Sequence, residues 1–176
     1  MRMLAEPEVL QTAGARRFFG YWDSLPKDGA VPDRSDFSPA GIAALMPVVT
    51  LLEVVSDDLI LQRLAGTAVC RTMGFDPTGM NALDLISPAT RPDYLDLIRK
   101  QISTPCGRWN ILRSRHDNMV DRAEVLTLPM RHRQSGHWII LSYFAALSPV
   151  AYDPGPYEIL GYEDTRWIDI GAGLPD

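Results

Sequence analysis

Ala15, Phe18, Phe19, Trp22 and Leu25 recur at the three- and four-residue spacing of one helical face. The pattern predicts a helix from about 6 to 25, stopped by Pro26 and Gly29. In the proline-bounded stretch VPDRSDFSPAGIAALMP, Ser38 and Pro39 read as the N-cap and first residue of a short helix ending near Leu45. Residues 48–55 (VVTLLEVV) and 59–65 (LILQRLA) are apolar and β-branched around the turn Ser56-Asp57-Asp58, which predicts a hairpin. If Val55 faces Leu59, Leu51 faces Arg63 and Glu53 lies diagonal to it, placed for a structural ion pair.

Past Gly66 the pattern changes. GTAVCRTMG reads as a short helix stopped by Gly74. Asp76-Pro77-Thr78-Gly79 reads as a turn, followed by one or two short helical turns. A longer helix over about 90–103 buries Tyr94, Leu95, Ile98 and Ile102, and Thr104-Pro105 end it. Strands follow at about 107–116, 120–131 and 137–147, the last two joined by a turn at Arg133-Gln134-Ser135-Gly136. The order predicts an α+β fold: a five-stranded antiparallel sheet, helices inserted between strands two and three, and an N-terminal helical segment. The chain divides into that segment (1–31), the main domain (32–147) and a Pro/Gly/aromatic tail (148–176). The tail interleaves Tyr152, Tyr157, Tyr162 and Trp167 with prolines and glycines. It cannot make its own core, so it is expected to dock on its own domain or on a second copy.

The 133–136 turn sets a register with Leu126 opposite Tyr143, Leu128 opposite Leu141 and Met130 opposite Ile139. The other parity holds Val125, Thr127, Trp138, Ile140, Ser142 and Phe144, so both faces are largely apolar and both need a cover. The second face is expected to be covered by the N-terminal helix through Phe18, Phe19 and Trp22, by the tail or by a second subunit; these three residues, with Trp138, Ile140 and Phe144, are the expected interface residues, and a homodimer is the expected assembly. Met73, Ile86, Tyr94, Ile98, Leu126, Leu128, Leu141 and Tyr143 are the expected lining of the helix-covered face. That set describes either a cavity for a small organic ligand or a filled core. Arg34 and Arg63 are candidate anchors for a ligand carboxylate or phosphate, or else partners in loop-fastening ion pairs.

Composition narrows the function classes. At 46% hydrophobic and 22% charged, the 176 residues do not describe a disordered chain. A net charge of −5 speaks against nucleic-acid and anionic-membrane partners. No apolar run approaches a membrane span and MRMLAEPE lacks a signal-peptide core, so a cytoplasmic location is expected. Cys70 and Cys106 read as free thiols. His132 and His137 face each other across the hairpin, but Arg131 and Arg133 would repel a cation there, so no metal site is expected. His116 reads as an exposed turn residue beside Asp117-Asn118. No nucleotide, zinc-hydrolase or nucleophile-elbow motif occurs, and no catalytic residue is assigned.

The element order, with GFDPTGMNALDLISPATRP at 74–92, resembles a PAS domain. More closely, the chain resembles a stand-alone bacterial PAS family of largely uncharacterised proteins. The resemblance spans about 18–147. It rests on Tyr21-Trp22, Pro32-x-Arg34-x-Asp36-x-x-Pro39, Leu45-Met46-Pro47, Arg63-Leu64-Ala65-Gly66-Thr67, Gly74, Thr78-Gly79 and Leu128-Pro129. It implies a non-catalytic sensory or regulatory module that binds a small molecule or a protein partner. With no kinase, cyclase or helix-turn-helix output in these residues, it would signal in trans. A pure dimerisation module with a closed core is the alternative; a small enzyme taking a metabolite through Arg34 or Arg63 is a third. The resemblance names no cofactor. Flavin-binding relatives carry an Asn-Cys-Arg-like motif, whereas Val69 precedes Cys70-Arg71 here. Haem-binding relatives use a histidine on the long helix, and 88–105 contain none. Both departures speak against those groups.

Overall fold

The computed structural model describes residues 4–116, 119–147 and 157–176. The first amphipathic stretch forms α1 (Ala13–Ser24), which buries Ala15, Phe18, Phe19 and Trp22. It starts later than the periodicity suggests. Thr12 is its N-cap, accepting at Oγ1 from the Ala15 amide at 3.1 Å, and Leu10 donates to the Pro7 carbonyl in a turn before it. Two-residue strands β1 (Lys27–Asp28) and β2 (Val31–Pro32) pair around Gly29, whose φ of 75° suits glycine. The proline-bounded stretch makes three 3₁₀ turns, Arg34–Asp36, Pro39–Ile42 and Met46–Val48, in place of the expected helix to Leu45. Prolines at 39 and 47 leave room for single turns only.

The main elements follow as β3 (Val49–Val54), β4 (Ile60–Ala65), α2 (Thr67–Met73), a 3₁₀ turn Ala82–Leu85, and α3 (Arg91–Ser103). They end with β5 (Gly107–His116), β6 (Met119–His132), β7 (His137–Ala146) and β8 (Tyr157–Ile168). The large sheet is antiparallel, in the order β4-β3-β7-β6-β5-β8. It therefore has six strands where five are read from the pattern. The sixth comes from the tail: Tyr157–Ile168 pairs along the edge of β5, supplying partners to backbone groups that an open edge would leave unpaired. Two register shifts, at Trp109/Ile111 and Arg113/Ser114, interrupt the pairing, and Gly161 has a φ of 141°. The tail residues from Pro149 to Pro156, with Tyr152, lie outside the described residues, as does the Asp117-Asn118 turn.

The β6–β7 register is the expected one: Leu126 faces Tyr143, Leu128 faces Leu141 and Met130 faces Ile139. In the β3–β4 hairpin a bulge intervenes. Leu51 opposes Leu64 and Leu52 opposes Gln62, so Arg63 has no cross-strand partner and the expected Leu51–Arg63 pair does not form.

These registers give the sheet two buried faces. One carries Val49, Leu51, Trp109, Leu126, Leu128, Met130, Ile139, Leu141 and Tyr143 in one cluster with Phe18, Phe19 and Trp22 of α1. The other carries Leu52, Ile60 and Ile140 under Leu83, Ile86, Tyr94 and Ile98. The expected interface residues Phe18, Phe19 and Trp22 are thus core, at 0–2% exposure. The chain's own N-terminal helix, one of the expected covers, lies on the face of Leu126, Leu128 and Leu141, opposite the face of Ile140 and Phe144. Burying three such side chains stabilises the docked helix by about 1.5–3 kcal/mol each.

Polar contacts fix the docking. Trp22 Nε1 donates to the Pro129 carbonyl at 3.1 Å. The fully buried Glu124 carboxylate accepts from the Gln11 and Thr12 amides at 2.7 and 3.1 Å and from Trp109 Nε1 at 2.8 Å. Among the described residues, no helix is long and apolar enough to cross a membrane.

Candidate functional site

The second face of the sheet is not packed solid. A cavity of about 70 Å³ lies between it and the helical layer. Its floor is Thr50 and Leu52 of β3, Gln62 of β4, Arg108 of β5, Val125 and Thr127 of β6, and Ile140, Ser142 and Phe144 of β7. Its roof is Val69 and Met73 of α2, Ile86, and Tyr94 and Ile98 of α3, and Tyr162 of β8 closes one side. A second hollow of about 200 Å³ adjoins it, sharing Val69, Met73 and Phe144 and reaching Ser114, Asp121 and Arg122.

Met73, Ile86, Tyr94 and Ile98 stand on the cavity wall. Leu126, Leu128, Leu141 and Tyr143, expected beside them, do not: they belong to the opposite face, under α1. The pairing was right and the facing inverted, because the two parities of this hairpin are almost equally apolar. Ile140 and Phe144, expected at a subunit interface, line the cavity instead. Trp138 is half-buried, with the Arg131 guanidinium 4.2 Å from its ring centroid. Arg63 is exposed and donates from Nε to Glu53 at 2.5 Å. Arg34 sits in its 3₁₀ turn with the guanidinium 5.3 Å from the Phe37 ring. Neither arginine reaches the cavity; Arg63 makes the ion pair of the simpler reading, whereas Arg34 lies against an aromatic ring.

The cavity's cation is Arg108, which the pattern did not single out. Its residue is 1% exposed. The guanidinium lies 5.3 Å from the Tyr162 ring, which stacks on Tyr94 at 6.0 Å between centroids. Nε and Nη1 of Arg108 have no hydrogen-bond partner among the described residues. Beside it, Gln101 of α3 donates from Nε2 to the Thr127 carbonyl and hydroxyl at 3.1 and 3.0 Å, and the Thr127 hydroxyl donates to the Arg108 carbonyl at 3.2 Å. Burial drives the Tyr94 and Tyr162 phenols above their ordinary range, with Arg108 partly opposing it, so both rings stay neutral donors. Burial likewise pushes the Cys106 thiol up to about 11. Two residues from Arg108 on the same strand face, the fully buried Asn110 also has no partner for either amide atom. The alternation of Arg108 and Asn110 with Trp109 and Ile111 was the available signal, but it reads equally as a solvated face.

The histidine pair forms a different site. His132 and His137 are opposite, as expected. His137 Nδ1 lies 2.6 Å from Glu53 Oε1, and His132 Nδ1 lies 2.8 Å from Ser135 Oγ. Burial works to raise the Glu53 pKa, but hydrogen bonds from His137 and Arg63 outweigh it and hold the carboxyl below its ordinary value. Among the described residues, no group of three or more His, Cys, Asp or Glu is arranged for a metal ion. Cys70 lies off the cavity wall, with Sγ 3.6 Å from the Ala65 carbonyl and 3.7 Å from Asp76 Oδ1. Burial and the nearby Asp76 carboxylate raise its pKa, which leaves it a weak nucleophile.

A family model described as a PAS domain matches residues 10–143. No curated protein matches the chain. Among solved structures, the chain is similar to an RNA-binding light-oxygen-voltage receptor, at 21% identity and a TM-score of 0.45. That alignment covers 70% of this chain and 37% of the receptor chain, so this chain spans well under half the receptor's length.

Proposed function

The chain belongs to the PAS domain family, and on that premise we propose that it is a sensory module whose input is a small molecule held in the cavity between the sheet and α3. The observation that carries this reading is the cavity itself: an apolar chamber in which a few polar groups, from Gln62, Arg108, Thr127 and Ser142, converge. Well-packed interiors leave few voids larger than a water molecule, and a chamber with this lining suits a small organic molecule.

The route outward is structural. An occupant touches Thr127, which Gln101 ties to α3, and Tyr94, which stacks on Tyr162 of β8. Both the long helix and the outer strand therefore border the chamber. A molecule that fits one arrangement of these elements better than another shifts the population toward it. Binding without conversion is the reading, since among the described lining residues no nucleophile stands beside a general base.

Native and denaturing mass spectra of the purified chain, with amide chemical shifts followed across a metabolite library, test this. The expected result is a retained mass released on denaturation, or shifts at Thr127, Ile140 and Ser142 that disappear in the cavity-filling variant Ser142→Leu. A chain with no retained mass, whose cavity amides stay unmoved throughout, removes the reading.

A further inference from the structure

We propose that the cavity selects a small organic carboxylate, with Arg108 as the partner of the anion and an apolar body lying against Ile140, Phe144 and Met73. This rests on reading the cavity as a ligand site and adds the ligand's chemical class.

The argument starts from a buried charge. A guanidinium keeps its proton throughout the accessible pH range and cannot escape its burial by neutralising. At 1% exposure Arg108 is shut away from bulk solvent, yet Nε and Nη1 have no partner and no carboxylate forms an ion pair with it among the described residues. An isolated buried cation is one of the least favourable arrangements in a folded chain. The Tyr162 ring supplies a cation–π contact but meets none of the N–H donors. Arg113, Arg115 and Arg122, by contrast, each pair with a glutamate at the surface, and the exposed Arg63 pairs with Glu53. Arg108, on the cavity wall, is the arginine that is buried among the described residues, and it has no such pair. Its forked donors match a carboxylate in plane and spacing.

Size and surroundings narrow the class. On the measure by which one water needs roughly 10–15 Å³, a chamber of about 70 Å³ holds about five waters, or a molecule of comparable bulk. Beyond the arginine the wall is mostly apolar, and the adjoining hollow, reached past Met73 and Phe144, gives the body of the molecule room to extend. The unpartnered amide of Asn110, on the same strand face, is a second polar group without a mate. A compact inorganic anion would leave the apolar wall empty; a neutral apolar molecule would leave the guanidinium bare.

The test uses the full chain, with butyrate, hexanoate and benzoate as probes. Butan-1-ol, hexan-1-ol and benzyl alcohol serve as uncharged counterparts, and inorganic phosphate as a bare anion. The readouts are the melting temperature and the Nε–H resonance of Arg108 in a nitrogen–proton correlation spectrum. We expect at least one carboxylate to raise the melting temperature and move that resonance, binding tenfold or more tighter than its alcohol. Arg108→Met should remove the preference. If that variant does not fold, Arg108→Gln and the wild-type resonance carry the decision. Alcohols binding as tightly as acids, or a carboxylate response persisting without Arg108, would overturn the carboxylate assignment while the cavity remains a ligand site. A response to phosphate alone would overturn it too. Silence from every probe overturns this assignment; only the absence of a retained mass and of any library response removes the cavity reading beneath it.

Discussion

Gln101 and Thr127 form a buried polar clamp between the long helix and the sheet: the Gln101 amide donates to the Thr127 carbonyl at 3.1 Å and to its hydroxyl at 3.0 Å. Gln101 is fully buried, and Thr127 lines the cavity. Gln101→Leu removes the donor and strands the Thr127 oxygens. We expect a loss of about 1–3 kcal/mol in urea denaturation and faster amide hydrogen exchange in α3 than in α1. Equal acceleration in both helices would show that the clamp is not specific to α3.

Gly66 follows β4 where the 3₁₀ turn Met46–Val48 crosses, and its amide donates to the Val49 carbonyl at 2.8 Å. A Cβ there would overlap the backbone carbonyl oxygens of Met46 and Pro47. Since those atoms belong to the main chain, Gly66→Ala should cost about 2–3 kcal/mol or prevent folding. Gly20 is the control: it lies within α1 with no atom near the position of a Cβ. Gly20→Ala should raise stability by about 0.5–1 kcal/mol. Thermal melts of the two variants check both signs.

Glu53 links the β3–β4 hairpin to the β6–β7 turn through Arg63 and His137. Its pKa is lowered in the folded chain from a reference of 4.5. A depressed carboxyl contributes stability that is present above the unfolded value and lost as pH falls through the folded one. Glu53→Gln should therefore melt lower than the parent at pH 7, by about 1–3 kcal/mol at the exposed end of the range for a charge-assisted pair. The gap should narrow as pH drops below about 4.5. A gap constant from pH 7 to pH 3 would show that the lost stability is not electrostatic.

Glu124 receives three N–H donors, two from the turn that starts α1 and one from Trp109. Glu124→Ala leaves all three without that acceptor and should cost about 3 kcal/mol, with the first exchange losses at residues 10–19. If the N-terminal helix stays protected while the sheet loosens, Glu124 serves the sheet alone.

Much of this architecture was legible locally. The face of α1 follows from helical periodicity at Phe18, Phe19 and Trp22, and that of α3 from Tyr94 and Ile98. The pairing of Leu126 with Tyr143 follows from the length of one turn, and the ion pair of Arg63 with Glu53 from their nearness in a hairpin. Each is decided by neighbours within a few residues or across one tight connection.

What stayed hidden depended on partners far along the chain. The strand Tyr157–Ile168 carries a glycine and three acidic residues, so its alternation is blurred; it becomes a strand because β5 presents an edge that needs hydrogen bonds. Leu126 and Val125 are both apolar, and only the docking of α1 through Trp22 and Pro129 decides which of them meets the helix and which meets the cavity. Arg108 reads as a surface residue until Tyr162, fifty-four positions later, closes over it. The sequence by itself determined most of the elements, the β6–β7 pairing and the amphipathic faces of α1 and α3, because those are short-range properties of backbone geometry and side-chain period. Only the tertiary structure decided which face was in, what covered the other, and where a charge was shut away from water, because burial is a property of surfaces brought together and not of any segment alone.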